Sequence, residues 1–210
     1  PRVSYGIEQV NSQTSDAVVV ALHKSGSDPY IVNTAPYNVS GYPTANLNRT
    51  TLWNYPEPEN VSQVVGLTNG VNPRLGLALS PTLNGNTLDI EVNVKFGFNF
   101  TNTKLVVYVL ESGLIYPQTN YTSYYGGGST LPNFVHNHVL RSVLTNINGD
   151  AITGSTNSGD TYTKNFSVQL PSNISNSSNV SIVAFVVDAS GKALNVRMAH
   201  FNDAQTYEIE

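Results

Sequence analysis

Thr87-Leu-Asp-Ile-Glu-Val-Asn-Val-Lys-Phe96 alternates without interruption, with Leu88, Ile90, Val92, Val94 and Phe96 on one side and Asp89, Glu91, Asn93 and Lys95 on the other. Successive side chains of an extended strand leave opposite faces, so this segment has one dry face and one wet face. A dry strand face needs a second layer to cover it. Strand patterns recur on either side, at Arg74–Ser80, Lys104–Glu111, Phe134–Leu144, Tyr162–Leu170, Val180–Asp188 and Ala193–Ala199. Turn signals separate them at Asn84-Gly85, Ser112-Gly113, Asn148-Gly149, Ser158-Gly159 and Ser190-Gly191. Seven short strands in about 130 residues predict a two-sheet antiparallel β-sandwich of immunoglobulin-like type.

One stretch interrupts this rhythm. Tyr116 to Pro132 reads as a long irregular connection that holds Tyr116, Tyr121, Tyr124, Tyr125 and three consecutive glycines, Gly126 to Gly128. Connections of that length inside compact domains are usually functional or mobile. Tyrosine offers rigid amphipathic area at low entropic cost, which suits a contact surface. The alternative is that the four rings fold back as a lid over the sandwich.

Residues 1–66 show a different pattern. Val3, Ile7 and Val10 form one helical stripe. Ala17–His23 contains the unbroken apolar run Val18–Leu22, which predicts a strand covered on both faces. Asp28-Pro29, Ala35-Pro36 and Tyr42-Pro43 punctuate the segment after it, a short strand is expected at Thr44–Asn48, and Pro56 and Pro58 forbid regular structure before a helix near Asn60. The expected division is 1–66 and 72–210, and the expected class is α+β, mostly β. Because the chain opens inside a helix, further residues are expected upstream of Pro1.

Composition narrows the function classes. Charged residues make up 11% of the 210 residues, about half the usual share, and Asn, Ser, Thr, Gly and Tyr fill the gap. That is the composition of secreted or surface β proteins. The net charge is -4 with no run of Lys or Arg, so there is no electrostatic footprint for a nucleic-acid backbone, and nucleic acid is not an expected partner. There is no cysteine, hence no disulfide and no thiolate metal site. No stretch approaches the ~20 apolar residues of a membrane helix.

No catalytic residues and no cofactor are predicted. His136 and His138 lie two apart on a predicted strand and share its face, which makes them weak metal candidates. Spacing supplies no third ligand, and packing against aromatic neighbours is the competing reading. Glu111 and Arg141 flank the long connection and are expected to form an ion pair that fixes its stems. Asn146–Asp150 reads as a hairpin turn, because the acidic ladder of a calcium loop is missing. Gly126–Gly128 lacks the strand and helix that a phosphate loop requires. Asn-x-Ser/Thr sequons, including those at Asn38, Asn120 and Asn173, arise readily in an Asn- and Ser-rich chain.

Several segments together carry a family likeness: Val-Val-Ala-Leu-His at 19–23, Gly41-Tyr-Pro-Thr44 with Asn48-Arg49 after it, Val-Leu-Glu-Ser-Gly-Leu-Ile at 109–115, Phe-Val-His-Asn-His-Val-Leu-Arg at 134–141 and Val-Ala-Phe-Val-Val-Asp at 183–188. The chain resembles the outer membrane protein twenty-eight family of Bacteroidetes over nearly its whole length. The resemblance implies an envelope lipoprotein at the outer membrane or cell surface, with a thioredoxin-like N-terminal part that lacks its first strand and a β-sandwich C-terminal domain. It also implies a cis Pro43 with Tyr42 facing an extended substrate.

The expected function is that of a non-enzymatic surface lipoprotein acting as a binding module or accessory subunit, with Tyr42, Pro43, Tyr116, Tyr121, Tyr124 and Tyr125 as binding residues. Its expected partners are other envelope proteins or an extended peptide, and its expected membrane contact is an upstream lipid anchor alone. In many family members a Cys-x-x-Cys-Pro motif ends just before the position of Pro1. The alternative is therefore a thiol–disulfide oxidoreductase or redox-linked carrier whose dithiol lies upstream.

Overall fold

The computed structural model describes residues 1–24, 26–32, 39, 41–68 and 72–209. The expected Ala35-Pro36 punctuation and the Asn38 sequon lie outside them. Strands hold 39% of the chain and helices 12%, so the class is α+β and mostly β. In chain order the elements are α1 (Arg2–Asn11), β1 (Asn46–Leu47), β2 (Thr51–Leu52), α2 (Val61–Thr68), β3 (Leu75–Asn84), β4 (Thr87–Phe96), β5 (Lys104–Glu111), β6 (Leu114–Thr119), β7 (Thr130–His136), β8 (Val139–Val143), β9 (Asp150–Ala151), β10 (Thr161–Gln169), β11 (Val180–Val187) and β12 (Ala193–His200).

The chain forms two compact units that interleave along the sequence. One comprises Pro1–Val19, Tyr37–Val71 and Gly113–Asn137, and the other Val20–Pro36, Asn72–Ser112 and His138–Glu210.

The second unit is a β-sandwich. One sheet runs β10-β4-β3 and the other β12-β11-β5-β8, with β9 also on β5, and every pairing is antiparallel. The alternation of β4 does what its sequence requires: Leu88, Ile90, Val92, Val94 and Phe96 are buried against Leu105, Val107, Val109, Ile182, Ala184 and Val186 of the opposing sheet. Each fully buried Leu, Ile, Val or Phe contributes about 1.5–3 kcal/mol. On the wet face, Ser167 Oγ donates to Asp89 Oδ1 (2.6 Å) and Thr163 Oγ1 to Asn93 Oδ1 (2.5 Å), each across directly paired positions. Among the described residues no strand pairs with the outer side of β3. Its N–H groups at Leu77 and Leu79 donate to Glu208 Oε2 (2.7 Å) and Gln205 Oε1 (3.3 Å), and its carbonyls at Leu75 and Leu77 accept from Asn195 Nδ2 (2.9 Å) and Arg197 Nη1 (3.2 Å). These side chains, with the backbone N–H groups of Asn202 and Gln205 on the Pro81 and Leu79 carbonyls, blunt an edge that would otherwise invite another strand.

The first unit holds α1, the β1–β2 hairpin, α2 and the β6–β7 hairpin. Its core is Val10, Leu47, Trp53 and Val61, joined by the expected stripe residues Val3 and Ile7. Trp53 Nε1 donates to the Asn60 carbonyl (2.9 Å), which satisfies the indole as the ring is buried.

Four expectations are corrected. Ala17–His23 forms no strand; Ala21 alone bridges Val139 in parallel, donating to the His138 carbonyl (2.8 Å) and accepting from Leu140 (2.9 Å). The run is half-buried, so its apolar continuity reflects one covered side rather than two. The strand expected at Thr44–Asn48 ends at Leu47, because Asn48 and Arg49 take left-handed φ of 45° and 70° and turn the chain into β2. The irregular connection expected at Tyr116–Pro132 is strand at both ends, with Tyr116–Thr119 in β6 and Thr130–Pro132 in β7, and is irregular from residue 120 to residue 129. Phe134–Leu144 is two strands, broken at Asn137-His138, where His138 has φ 56°.

Candidate functional site

The first unit gathers its chemistry on one side of α1. While Val3, Ile7 and Val10 face the Trp53 core, Arg2, Tyr5 and Glu8 recur at intervals of three and share another face. Arg2 is the hub. Its Nε lies 2.5 Å from Glu57 Oε2 and its Nη2 donates to Glu57 Oε1 (3.2 Å) and to the Pro43 carbonyl (3.4 Å). Its guanidinium carbon sits 4.5 Å from the centre of the Tyr55 ring. Glu57 is buried, and its hydrogen bond holds the Arg2 pKa above the ordinary value.

The Tyr42–Pro43 bond is cis, as the family likeness implies, and Tyr55–Pro56 is cis as well. Tyr42 remains 60% exposed and Tyr55 74% exposed. The anchored arginine thus lies against the Tyr55 ring and bonds the carbonyl of the residue that follows Tyr42.

The four tyrosines of the β6–β7 hairpin do not act as one group. Tyr124 stacks on Tyr5 (ring centres 4.8 Å apart, planes at 13°), and Tyr125 meets Tyr5 edge-on at 5.9 Å. The Tyr125 hydroxyl donates to Glu8 Oε1 (2.6 Å), and burial, reinforced by this bond, pushes the Tyr125 pKa well up, so it stays a donor. Tyr125 also meets Phe134, which meets His136, and His136 Nε2 lies 3.2 Å from the Tyr116 carbonyl. Tyr124 and Tyr125 thus fold onto α1 within the first unit. Tyr116 is partly exposed and Tyr121, at the tip, is 90% exposed. Asn120 shapes that tip: it is buried, its Nδ2 donates to the carbonyls of Gly126 and Gly128, and its Oδ1 accepts from Thr122.

The two histidines part company. His136 belongs to the first unit and His138 to the second, and the break between β7 and β8 removes the shared strand face on which a joint metal site was premised. Among the described residues no group of three His, Cys, Asp or Glu could hold a metal ion. The backbone N–H of His138 donates to Ser112 Oγ (3.0 Å), and its buried Nδ1 finds no partner among the described residues. Burial first, and the nearby His200 second, hold the His138 pKa below the ordinary value.

This lowered pKa makes stability depend on pH. The folded chain binds fewer protons at His138 than the unfolded chain, whose His titrates near about 6.5. Its contribution to stability is therefore complete above that pH and is lost as pH falls. We expect His138→Asn, which tolerates the left-handed backbone, to show a shallower drop in urea midpoint between pH 7.5 and 5.5 than the parent. Parallel slopes would contradict this.

In the second unit, Glu111 and Arg141 do pair, with Oε2 and Nε 3.2 Å apart and both side chains buried. Glu111 Oε1 accepts the N–H groups of Ser175 (2.8 Å) and Asn176 (2.7 Å). Arg141 Nη2 donates to the Asn173 carbonyl, Asn173 Nδ2 returns a bond to the Arg141 carbonyl (3.0 Å), and the guanidinium lies 5.4 Å from the Tyr30 ring centre. Glu111 Oε2 and Arg141 Nε face each other as an ion pair and make no hydrogen bond among the described residues. The Asn146–Asp150 turn closes on itself through Asn146 N–H to Asp150 Oδ1 (2.9 Å), as a hairpin turn does.

A family model described as Outer membrane protein Omp28 matches residues 32–205. The chain belongs to the Omp28 family. It is accordingly a protein of the bacterial outer membrane or cell surface. The solved structure of HBP35 of Porphyromonas gingivalis is similar, with a TM-score of 0.57 at 15% identity, covering 98% of this chain. At that identity the likeness is one of fold, and this chain spans 60% of that structure's chain. No curated protein matches. This Omp28 chain has no cysteine, so none of its own residues supports the redox alternative.

Arg2, Tyr5, Glu8 and Tyr55 escaped the sequence reading. Two signals pointed to them: the polar stripe of α1 opposite its apolar one, and the second Tyr-Pro dipeptide at 55–56, which repeats the one at 42–43.

Proposed function

We propose that this Omp28 chain is a non-enzymatic binding module of the cell envelope that takes an extended polypeptide segment of another envelope protein on the Arg2 face of its first unit. The observation that carries the reading is the clamped Arg2, bonded to Glu57 and to the Pro43 carbonyl, with exposed rings at Tyr42 and Tyr55. Exposed tyrosine and partly free guanidinium are the residue types that dominate protein-binding surfaces. Burying such rings costs little side-chain entropy, and Arg2 is already held in place. Tyr124 and Tyr125 frame the face by fixing the hairpin tip on α1. Tyr121 and Tyr116 extend the tyrosine surface along the hairpin, and a lipid anchor upstream of Pro1 would hold the module at the membrane.

A photo-crosslinking amino acid at position 55, compared with one at Thr163 on the wet face of the sandwich, tests this in the intact envelope. We expect a discrete polypeptide adduct from position 55 alone, lost when Tyr42 is also replaced by alanine. Equal adducts from both positions, or none from position 55, would overturn the reading.

A further inference from the structure

The β6–β7 hairpin has an outward face that the polypeptide site does not use. Leu114 pairs with His136 and Tyr116 with Phe134, and on this face Leu114 and His136 are buried while Tyr116 is partly exposed. Ile115 pairs directly with Val135 between them, so the two side chains leave the opposite face side by side. They are 63% and 47% exposed.

Charge is the second observation. Between Glu111 and Arg141 there is no Asp, Glu, Lys or Arg, although such residues make up 11% of the whole chain. A docking surface for a soluble protein normally carries charges that orient its partner, and this one has none. Strand addition is also opposed, because each hairpin strand carries a proline, Pro117 in β6 and Pro132 in β7, that removes a backbone donor. An uncharged ribbon with paired exposed aliphatic side chains matches the boundary between lipid headgroups and acyl chains, where apolar side chains enter. The family's place at the outer membrane supplies such a boundary.

We propose that the Ile115–Val135 face of the β6–β7 hairpin docks on the neutral interface of a phospholipid bilayer, giving the chain a direct membrane contact in addition to any lipid anchor. Because the contact uses apolar area and no ion pairs, it is insensitive to salt.

Co-sedimentation of the full chain with uncharged phosphatidylcholine vesicles is the test. The parent chain is expected to partition equally at low and high salt, and Ile115→Asp/Val135→Asp to reduce partition by about tenfold or more. Ile115→Ser/Val135→Ser, which adds no charge, should give an intermediate loss, with thermal melting confirming the fold of both variants. Tyr42→Ala/Tyr55→Ala should partition like the parent, which separates this contact from the polypeptide site. No partition of the parent, partition only into anionic vesicles with release by salt, or a concentration-dependent dimer that the Asp variant abolishes would each overturn the proposal.

Discussion

Replacing Arg141 by alanine lowers the stability of the β-sandwich by about 3–5 kcal/mol. Glu111 sits with no exposed side-chain surface, one oxygen committed to the Ser175 and Asn176 N–H groups and the other facing Arg141. Removing the guanidinium leaves an unpaired carboxylate in a place water does not reach, and an unpaired buried charge costs far more than the roughly 0–1 kcal/mol typical of surface pairs. Glu111→Gln is expected to be milder, because the amide oxygen can still accept both backbone bonds and Arg141 keeps the Asn173 carbonyl and the Tyr30 ring. The double variant should recover part of what Arg141→Ala loses. Urea unfolding monitored by far-ultraviolet circular dichroism measures all three. A loss below about 1 kcal/mol for Arg141→Ala would show that solvent screens the pair.

Trp53→Ala is expected to cost about 3–5 kcal/mol in the first unit. Trp53 is the only tryptophan, and a Cβ placed on Gly6 would come within 3.0 Å of its ring, so α1 rests directly on the indole. Val10, Leu47 and Val61 are the other buried residues of that core, and they cannot refill the space the indole leaves. Trp53→Phe keeps most of the ring and loses the indole bond to the Asn60 carbonyl, which still accepts from the Gln63 N–H (3.1 Å), at a cost of about 0.5–1.5 kcal/mol. Since Arg2, Tyr5 and Glu8 ride on α1, Trp53→Ala should also abolish polypeptide binding, whereas Trp53→Phe should retain it. Limited proteolysis of residues 44–68 reads the first unit directly: rapid cleavage in the alanine variant and parent-like resistance in the phenylalanine variant are expected. Parent-like resistance in both would mean that α1 does not depend on the indole.

The sandwich was legible because β4 has one wet and one dry side, and a period of two admits only one arrangement of its faces. The β6–β7 hairpin was hidden by the same logic. Its outward face carries Ile115 and Val135, its strands carry Pro117 and Pro132, and with no polar face there is no alternation to read. The cis Pro43 came from the family likeness, and the Glu111–Arg141 pair from two opposite charges at the stems of one connection. Arg2 was missed because its role depends on Glu57 and Tyr55, which lie more than fifty residues away and which no local pattern links to α1. His138 was misplaced because a single left-handed residue, enough to end one strand and start another, leaves no mark in hydropathy.

Binding of extended polypeptide by the Tyr42–Arg2–Tyr55 face stands or falls on the affinity of peptides selected against the full chain by display, compared by calorimetry between the parent and Tyr42→Ala/Tyr55→Ala. Binding in the variant is expected to be weaker by at least about tenfold, as for a pair of aromatic hot spots, with an unchanged melting temperature. Selected peptides that bind both chains equally would contradict a polypeptide site on this face.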